Sequence, residues 1–300
     1  MIAIFGPTGV GKTEVALALA ERLRADGEDP LAISADALQV YEGLGTLTGA
    51  AGPAEQARLE HRLVGFLPVT EPFSAGAYAE RAHAEIDAAL ASGRRPVVVG
   101  GTGLYLRAAL ADLDLRPPPE PAVRERWHAE LTARGPAALH ALLAERAPAA
   151  AAGVAPSDGR RIVRALELLD TGVEPPPAAG GDSQLWTTDT RHPTLLAGLV
   201  INRDVLAERI GDRVDAMVAA GAREEVLRAA AQGASATARQ ALGFEELLAG
   251  DLEAMKARTR RYAKRQLTWM RKLPGVRTID VTGREAEDVA GELHGMIRAT

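Results

Sequence analysis

Cysteine is absent from all 300 residues. That excludes a disulfide, a zinc ribbon and a thiol nucleophile, and it fits a cytoplasmic protein. No run of 18 apolar residues occurs, so no membrane span is expected. The chain starts directly on an apolar strand, which leaves no charged leader, and no signal peptide is expected. His61, His83, His128, His140, His192 and His294 are scattered without metal-ligand spacing, and none is assigned a catalytic role. Basic residues do not dominate: 35 Lys and Arg stand against 40 Asp and Glu, a formal net charge of −5. The chain as a whole is therefore no generic nucleic-acid binder. Internal repeats are absent, and the abundance of alanine and arginine follows base composition rather than function. The length suffices for one α/β domain plus an insertion.

What is present begins at residue 6. The stretch GPTGVGKT, Gly6-Pro7-Thr8-Gly9-Val10-Gly11-Lys12-Thr13, fits G-x-x-x-x-G-K-[ST] at every fixed position. Met1 to Phe5 before it reads as a buried strand, and Glu14 to Ala25 after it as a helix. The glycines let successive backbone N–H groups turn inward on anionic oxygens, and the helix N-terminus adds partial positive charge. Lys12 is expected on the terminal phosphate oxygens, with the Thr13 hydroxyl on Mg²⁺.

Apolar runs at Leu31–Asp36 and Pro96–Val99 add two strands, with a helix from the Ser74 cap to Ala91 between them. Strands alternating with helices predict a P-loop NTPase-like parallel sheet, its strand ends at Phe5, Asp36 and Gly100 converging on a ligand crevice. Two Pro-rich breaks, at residues 115–121 and 173–184, bracket only helical periodicity. The expected organisation is a core over 1–114, an all-helical insertion over 115–190, and the rest of the core over 191–300. In that last part a strand is expected at Thr194–Ile201, a helix at Asp204–Ala220 and a final strand at Val276–Val281, before a terminal helix.

The strongest strand, Val97-Val98-Val99, ends in Gly100-Gly101-Thr102 without an acid, which argues against a motor or switch NTPase. Asp36 is the acid at a strand end beside the phosphate loop, placed to take a proton or hold metal. Thr102 offers a hydroxyl to the same phosphates. From Lys256 to Lys272 there are eight basic residues and no acidic one. Arg261, Lys264, Arg265, Thr268 and Lys272 share one helical face, and Tyr262, Gln266, Trp269 and Leu273 form its neighbour. In an acidic chain such a run suits an RNA backbone. Arg160, Arg161 and Arg164 make a second basic group in the insertion. On these residues alone two readings stand: a P-loop kinase of a small metabolite, and a non-catalytic RNA-binding protein.

In order, GPTGVGKT, SADALQVYEGL, HRL at 61–63, FSAGAY, PVVVGGTGLYL, DGRRIVRALEL, ERIGDRVDAMVAAG, ARQALGFEEL and KRQLTWMRK resemble the bacterial tRNA dimethylallyltransferase family from Ile2 to about Asp280. The resemblance adds the leading reading, a tRNA-modifying prenyltransferase, with a free-adenylate prenyltransferase as its alternative. The resemblance implies that the loop holds dimethylallyl diphosphate, and that the acceptor is the exocyclic amine of the adenosine 3′ of the anticodon. It implies Asp36 as general base, and Lys12, Thr13, Mg²⁺, Thr102 and Arg213 on the leaving diphosphate. It implies tRNA contacts at Asp36, Ala37, Leu38, Gln39, Thr102, Arg124, Arg160, Arg161, Arg164, Arg239, Gln240, Gly243, Phe244, Lys264, Arg265, Gln266, Trp269 and Arg271, with the insertion clamping the anticodon stem-loop against the core of a cytoplasmic monomer. Two departures stand out. Ala37 replaces the family's usual serine after the aspartate, and Leu47–Ala50 lacks its lysine, so weaker or differently placed tRNA binding is expected.

Overall fold

A computed structural model describes residues 1–116, 118–175 and 184–299. It divides into a core, Met1–Asp114 with Trp186–Thr300, and a helical unit, Leu115–Leu185.

In the core, β1 (Ile2–Phe5) enters the phosphate loop and α1 (Lys12–Ala25), and β2 (Pro30–Ala35) follows. Two short helices, α2 (Gly45–Thr48) and α3 (Pro53–Arg58), lead to the two-residue strand β3 (His61–Arg62). Next come α4 (Ala75–Ala91), β4 (Arg95–Gly100) and α5 (Gly103–Leu110). The helical unit holds α6 (Pro121–Arg146), α7 (Pro148–Ala151) and α8 (Gly159–Asp170). The core resumes with β5 (Leu195–Val200), α9 (Arg203–Ala219), α10 (Ala222–Ala231), α11 (Phe244–Ala249), α12 (Leu252–Lys272), β6 (Arg277–Asp280) and α13 (Ala286–Arg298).

The sheet is wholly parallel in the order β3-β2-β4-β1-β5-β6. β1 and β2 are buried at every position, which is why they read as continuous apolar runs rather than alternating ones. Register decides where the chemistry falls. Phe5 and Ala35 both pair with Gly100, so the three strands end on one line and their next residues leave from one edge.

Polar caps set the long helices: Ser74 accepts from the Ala77 N–H at 3.1 Å, Asn202 from the Asp204 N–H at 2.9 Å, and Asp251 from the Ala254 N–H at 2.9 Å. A second apolar cluster, including Tyr41, Phe244, Leu247 and Met255, forms apart from the sheet. The helical unit has its own core around Trp127, Leu139, Ile162 and Leu166.

Several boundaries differ from expectation. The first helix starts at Lys12 rather than Glu14, because Gly11 at its N-cap takes φ 98° and brings the loop's last two residues into the first turn. β3 is too short for any periodicity to reveal. The helical unit closes at Leu185, because Trp186 stacks on Trp269 of the core at 4.7 Å. α6 is broken at Gly135, φ 76°, ahead of Pro136. Of the Pro/Gly-rich break at 173–184, residues 176–183 lie outside the described residues, as does Pro117 of the first break.

Candidate active site

The line of strand ends opens onto a cleft of about 440 Å³. That falls within the range typical of small-molecule sites, roughly 300–1,000 Å³. Lys12 and Thr13 from the phosphate loop line it, with Asp36 after β2, Arg213 from α9, and Tyr262 and Gln266 from α12. The core fold thus brings together groups up to 258 residues apart in sequence, as the pair Thr8–Gln266 records.

Lys12 Nζ donates to the carbonyls of Gly6 and Pro7, both at 3.0 Å. Its pKa is lowered to about 8, by burial above all, with Asp36 opposing the fall and Arg213 adding to it. Asp36 shifts the other way. Burial raises its carboxyl above the ordinary value, against the pull of the Leu38 N–H, Lys12, the Gln39 N–H and Arg213. Each partner favours the other's charge, yet for both desolvation wins. Asp36 Oδ1 accepts from the Leu38 N–H at 3.0 Å, so one oxygen fixes the turn.

Arg213 is likewise lowered by burial. Its Nε is buried and has no hydrogen-bond partner among the described residues. The guanidinium packs over Gly49, which sits at φ 58° and where any side chain would overlap it. That turn is held from two sides. The Glu225 carboxylate accepts from the N–H groups of Thr46 and Leu47 at 2.9 Å each, and Gln39 Nε2 donates to the Gly49 carbonyl at 3.3 Å. Gln39 in turn accepts from the Ser34 hydroxyl at 2.8 Å. Two cations and an unpaired buried N–H around a carboxylate suit an anionic ligand that carries several phosphate oxygens.

α12 has two working faces. Its inner stripe is Tyr262, Gln266 and Trp269. Gln266 bridges two loops, its Oε1 accepting from the Thr8 N–H and its Nε2 donating to the Gly101 carbonyl, both at 2.8 Å. Trp269 lies against Gly103. On the outer side Lys256 pairs with Asp215 at 2.8 Å and Arg258 with Glu246 at 3.0 Å. Arg260, Arg261, Lys264, Arg265, Arg271 and Lys272 are exposed and form no ion pair among the described residues. The basic run is therefore a field of six cations rather than eight.

Some residues expected to touch RNA sit elsewhere. Phe244 is 0% exposed inside the second apolar cluster, where α11 needs an anchor. Arg239 stacks over its ring at 5.1 Å and pairs with Glu245 at 2.9 Å. Phe244→Ala is expected to cost about 3–5 kcal/mol of stability by leaving a cavity. Urea unfolding of the purified variant checks this, and an unchanged midpoint would argue against an anchoring role. Gly243 caps α11 at φ 95°, and the exposed Gln240 gives its carbonyl to Arg258. Gln266 is only 4% exposed, with both ends of its amide engaged by protein. In the helical unit, Arg124 and Arg164 hold the buried Glu167 at 3.5 and 3.3 Å, while Arg160 and Arg161 are exposed at the start of α8.

Thr102 was expected from sequence, whereas its partner Tyr262 was noted only as part of a helix face. Thr102 is the N-cap of α5, yet its side chain makes no cap hydrogen bond. Its oxygen instead accepts from the Ala37 N–H at 3.4 Å and lies 3.2 Å from the Tyr262 hydroxyl. A cap of this kind commonly contributes about 1 kcal/mol to its helix. Forgoing it directs the hydroxyl toward Asp36's neighbour. Glu225 carries no sequence signal, whereas Gln266 carries the i, i+4, i+7 stripe it shares with Tyr262 and Trp269 and, by family resemblance, the expectation of a tRNA contact.

Residues 39–273 match the protein family described as IPP transferase. The chain is 41% identical over 289 residues to a tRNA dimethylallyltransferase of Thermobifida fusca, covering 92% of this chain and 88% of that one. It is 42% identical over 289 residues to the tRNA dimethylallyltransferase of Kineococcus radiotolerans, covering 92% and 89%. The crystal structure of the full-length tRNA isopentenylpyrophosphate transferase from Bacillus halodurans superposes with a TM-score of 0.70 at 32% identity, covering 99% of this chain and 95% of that one.

Proposed function

This chain belongs to the IPP transferase family, and we propose how its cleft performs the transfer. It is an enzyme that moves a dimethylallyl group to tRNA. The donor is dimethylallyl diphosphate, its diphosphate seated on the loop N–H groups, Lys12 and Arg213. The acceptor is the exocyclic amine of the adenosine beside the anticodon, swung out of its loop to reach Asp36. As the amine nitrogen bonds to the first allylic carbon, the carbon–oxygen bond breaks and its electron pair leaves on the diphosphate. The amine proton passes to Asp36. Lys12, Arg213 and the Thr102 hydroxyl meet the growing charge.

The observation that carries this reading is Asp36 in one cleft with Lys12 and Arg213, near enough to shift both their pKa values. An aromatic amine is a weak nucleophile, so a placed base and a neutralised leaving group are what the step needs. Among the described residues no group of three His, Cys, Asp or Glu could hold a metal alone. The donor set still fits Mg²⁺ arriving on a diphosphate, with the Thr13 hydroxyl as its protein ligand. Bound there, the ion supplies charge neutralisation to the diphosphate.

The exposed cations of α12, and Arg160 and Arg161 of the helical unit, hold the RNA backbone. Replacing both Lys264 and Arg265 with alanine is expected to weaken tRNA binding across sequences. It should also flatten the salt dependence of log Kd by about one unit per cation removed. Filter binding over a salt series checks this, and an unchanged slope would remove α12 from the interface. The reading itself is tested by offering protein, Mg²⁺ and radiolabelled dimethylallyl diphosphate both tRNA and free AMP. Label in tRNA supports it. Label in AMP alone, or ATP turnover with small metabolites and no label in tRNA, overturns it.

A further inference from the structure

We propose that Tyr262 is a positioning residue, fixing the Thr102 hydroxyl as a hydrogen-bond donor to the departing diphosphate. The proposal rests on the transfer reading above. Thr102 Oγ1 has one proton to give and two lone pairs to accept with. The Ala37 N–H occupies one lone pair at 3.4 Å, and the Tyr262 hydroxyl stands 3.2 Å from the same oxygen. A phenol is a better donor and a poorer acceptor than an aliphatic alcohol, so the proton between them belongs to Tyr262. Both lone pairs are then filled, and Thr102's own proton has to point away from both partners.

The surroundings agree. Burial, followed by the charge of Asp36, pushes the Tyr262 hydroxyl up to about 12, so it keeps its proton at working pH. Thr102 makes no cap bond to α5, which leaves its rotor free to serve this role. Tyr262 cannot drift, because Gln266 one turn on is tied to Thr8 and Gly101, and Trp269 is seated on Gly103. One stripe of α12 thus sets the phosphate loop, the turn after β4 and the polarity of its hydroxyl. The residue acts through Thr102 and is not itself catalytic.

The test removes one oxygen at a time. Tyr262→Phe keeps the ring and deletes the donor. It is expected to lower kcat for transfer to tRNA about five- to tenfold, with KM for tRNA unchanged, because a bond that strengthens as charge develops acts on the rate. Thr102→Val should lower kcat at least as far. Adding Tyr262→Phe to Thr102→Val should cost less than about twofold more, since the two act as one unit. Thr102→Ser restores the hydroxyl and with it the full effect of Tyr262→Phe. Direct binding of inorganic diphosphate, followed by titration calorimetry and needing no turnover, should weaken several-fold in Tyr262→Phe. Thermal unfolding confirms that each variant is folded. A multiplicative double variant, a raised KM for tRNA at unchanged kcat, or unchanged diphosphate binding overturns the proposal. Wild-type protein that binds diphosphate but labels no tRNA overturns the transfer reading instead, and the binding series still judges Tyr262.

Discussion

Asp36→Asn is expected to lower kcat for dimethylallyl transfer about 10³-fold, within the 10²–10⁴ that a positioned general base contributes. Asparagine keeps the size of the side chain, and its carbonyl oxygen can still accept from the Leu38 N–H, so the turn after β2 survives. What it cannot do is take the amine proton. The sign of the companion effect is diagnostic. Asp36 is the negative charge nearest the two cations, and it repels an incoming diphosphate. Its neutral replacement should therefore bind inorganic diphosphate as tightly as wild type or more tightly. A single-turnover assay with labelled donor and tRNA gives the rate, and competition with diphosphate gives the affinity. A variant that keeps a tenth of the wild-type rate would remove Asp36 from the role of base. Loss of both rate and diphosphate binding would point to a collapsed site instead.

The parts of this cleft differ in how far local pattern could reveal them. The phosphate loop was legible because its chemistry is backbone chemistry: eight consecutive residues between a strand and a helix suffice. Asp36 was legible as an acid at a strand end, and the parallel register that aligns Ala35 with Gly100 and Phe5 turns that local fact into a shared edge. Arg213 is about 200 residues from the loop with which it lines the cleft, and no local pattern marks it; it came only from family resemblance. On α12 the basic run was legible as composition. Its division into two ion-paired cations and six without an ion pair among the described residues depends on Asp215 and Glu246, which other elements supply. Phe244 shows the opposite failure. A family motif placed it at an interface, although its spacing to Leu247 and Leu248 is that of a buried helix face, which the structure finds. Tyr262 and Gln266 were invisible as a device, because a bridge between two loops exists only once the helix is laid across them.

Lys12→Met is expected to cost about 10²–10³ in kcat/KM, the loss seen when a single aimed donor to developing negative charge is removed. Methionine preserves the length and packing of the stem, so the loop should keep its turn while losing the charge. The pH profile carries the sharper test. In the proposed transfer Lys12 works protonated, and burial above all has brought its pKa down to about 8. Wild-type kcat/KM, which reports the free enzyme, should therefore fall as pH rises through about 8. As the base of the proposed transfer Asp36 works ionised, and its pKa is raised, so the acid limb should lie above the ordinary carboxylate range and fall as pH drops through it. In kcat the alkaline limb should move upward, because bound diphosphate stabilises the ammonium. Lys12→Met should lose the alkaline limb from kcat/KM and keep the acid one, since methionine cannot titrate and Asp36 remains. Profiles of wild type and variant from pH 5 to 10 at constant ionic strength decide it. If the alkaline limb survives in Lys12→Met, another group is titrating, and the ammonium is not what neutralises the leaving diphosphate.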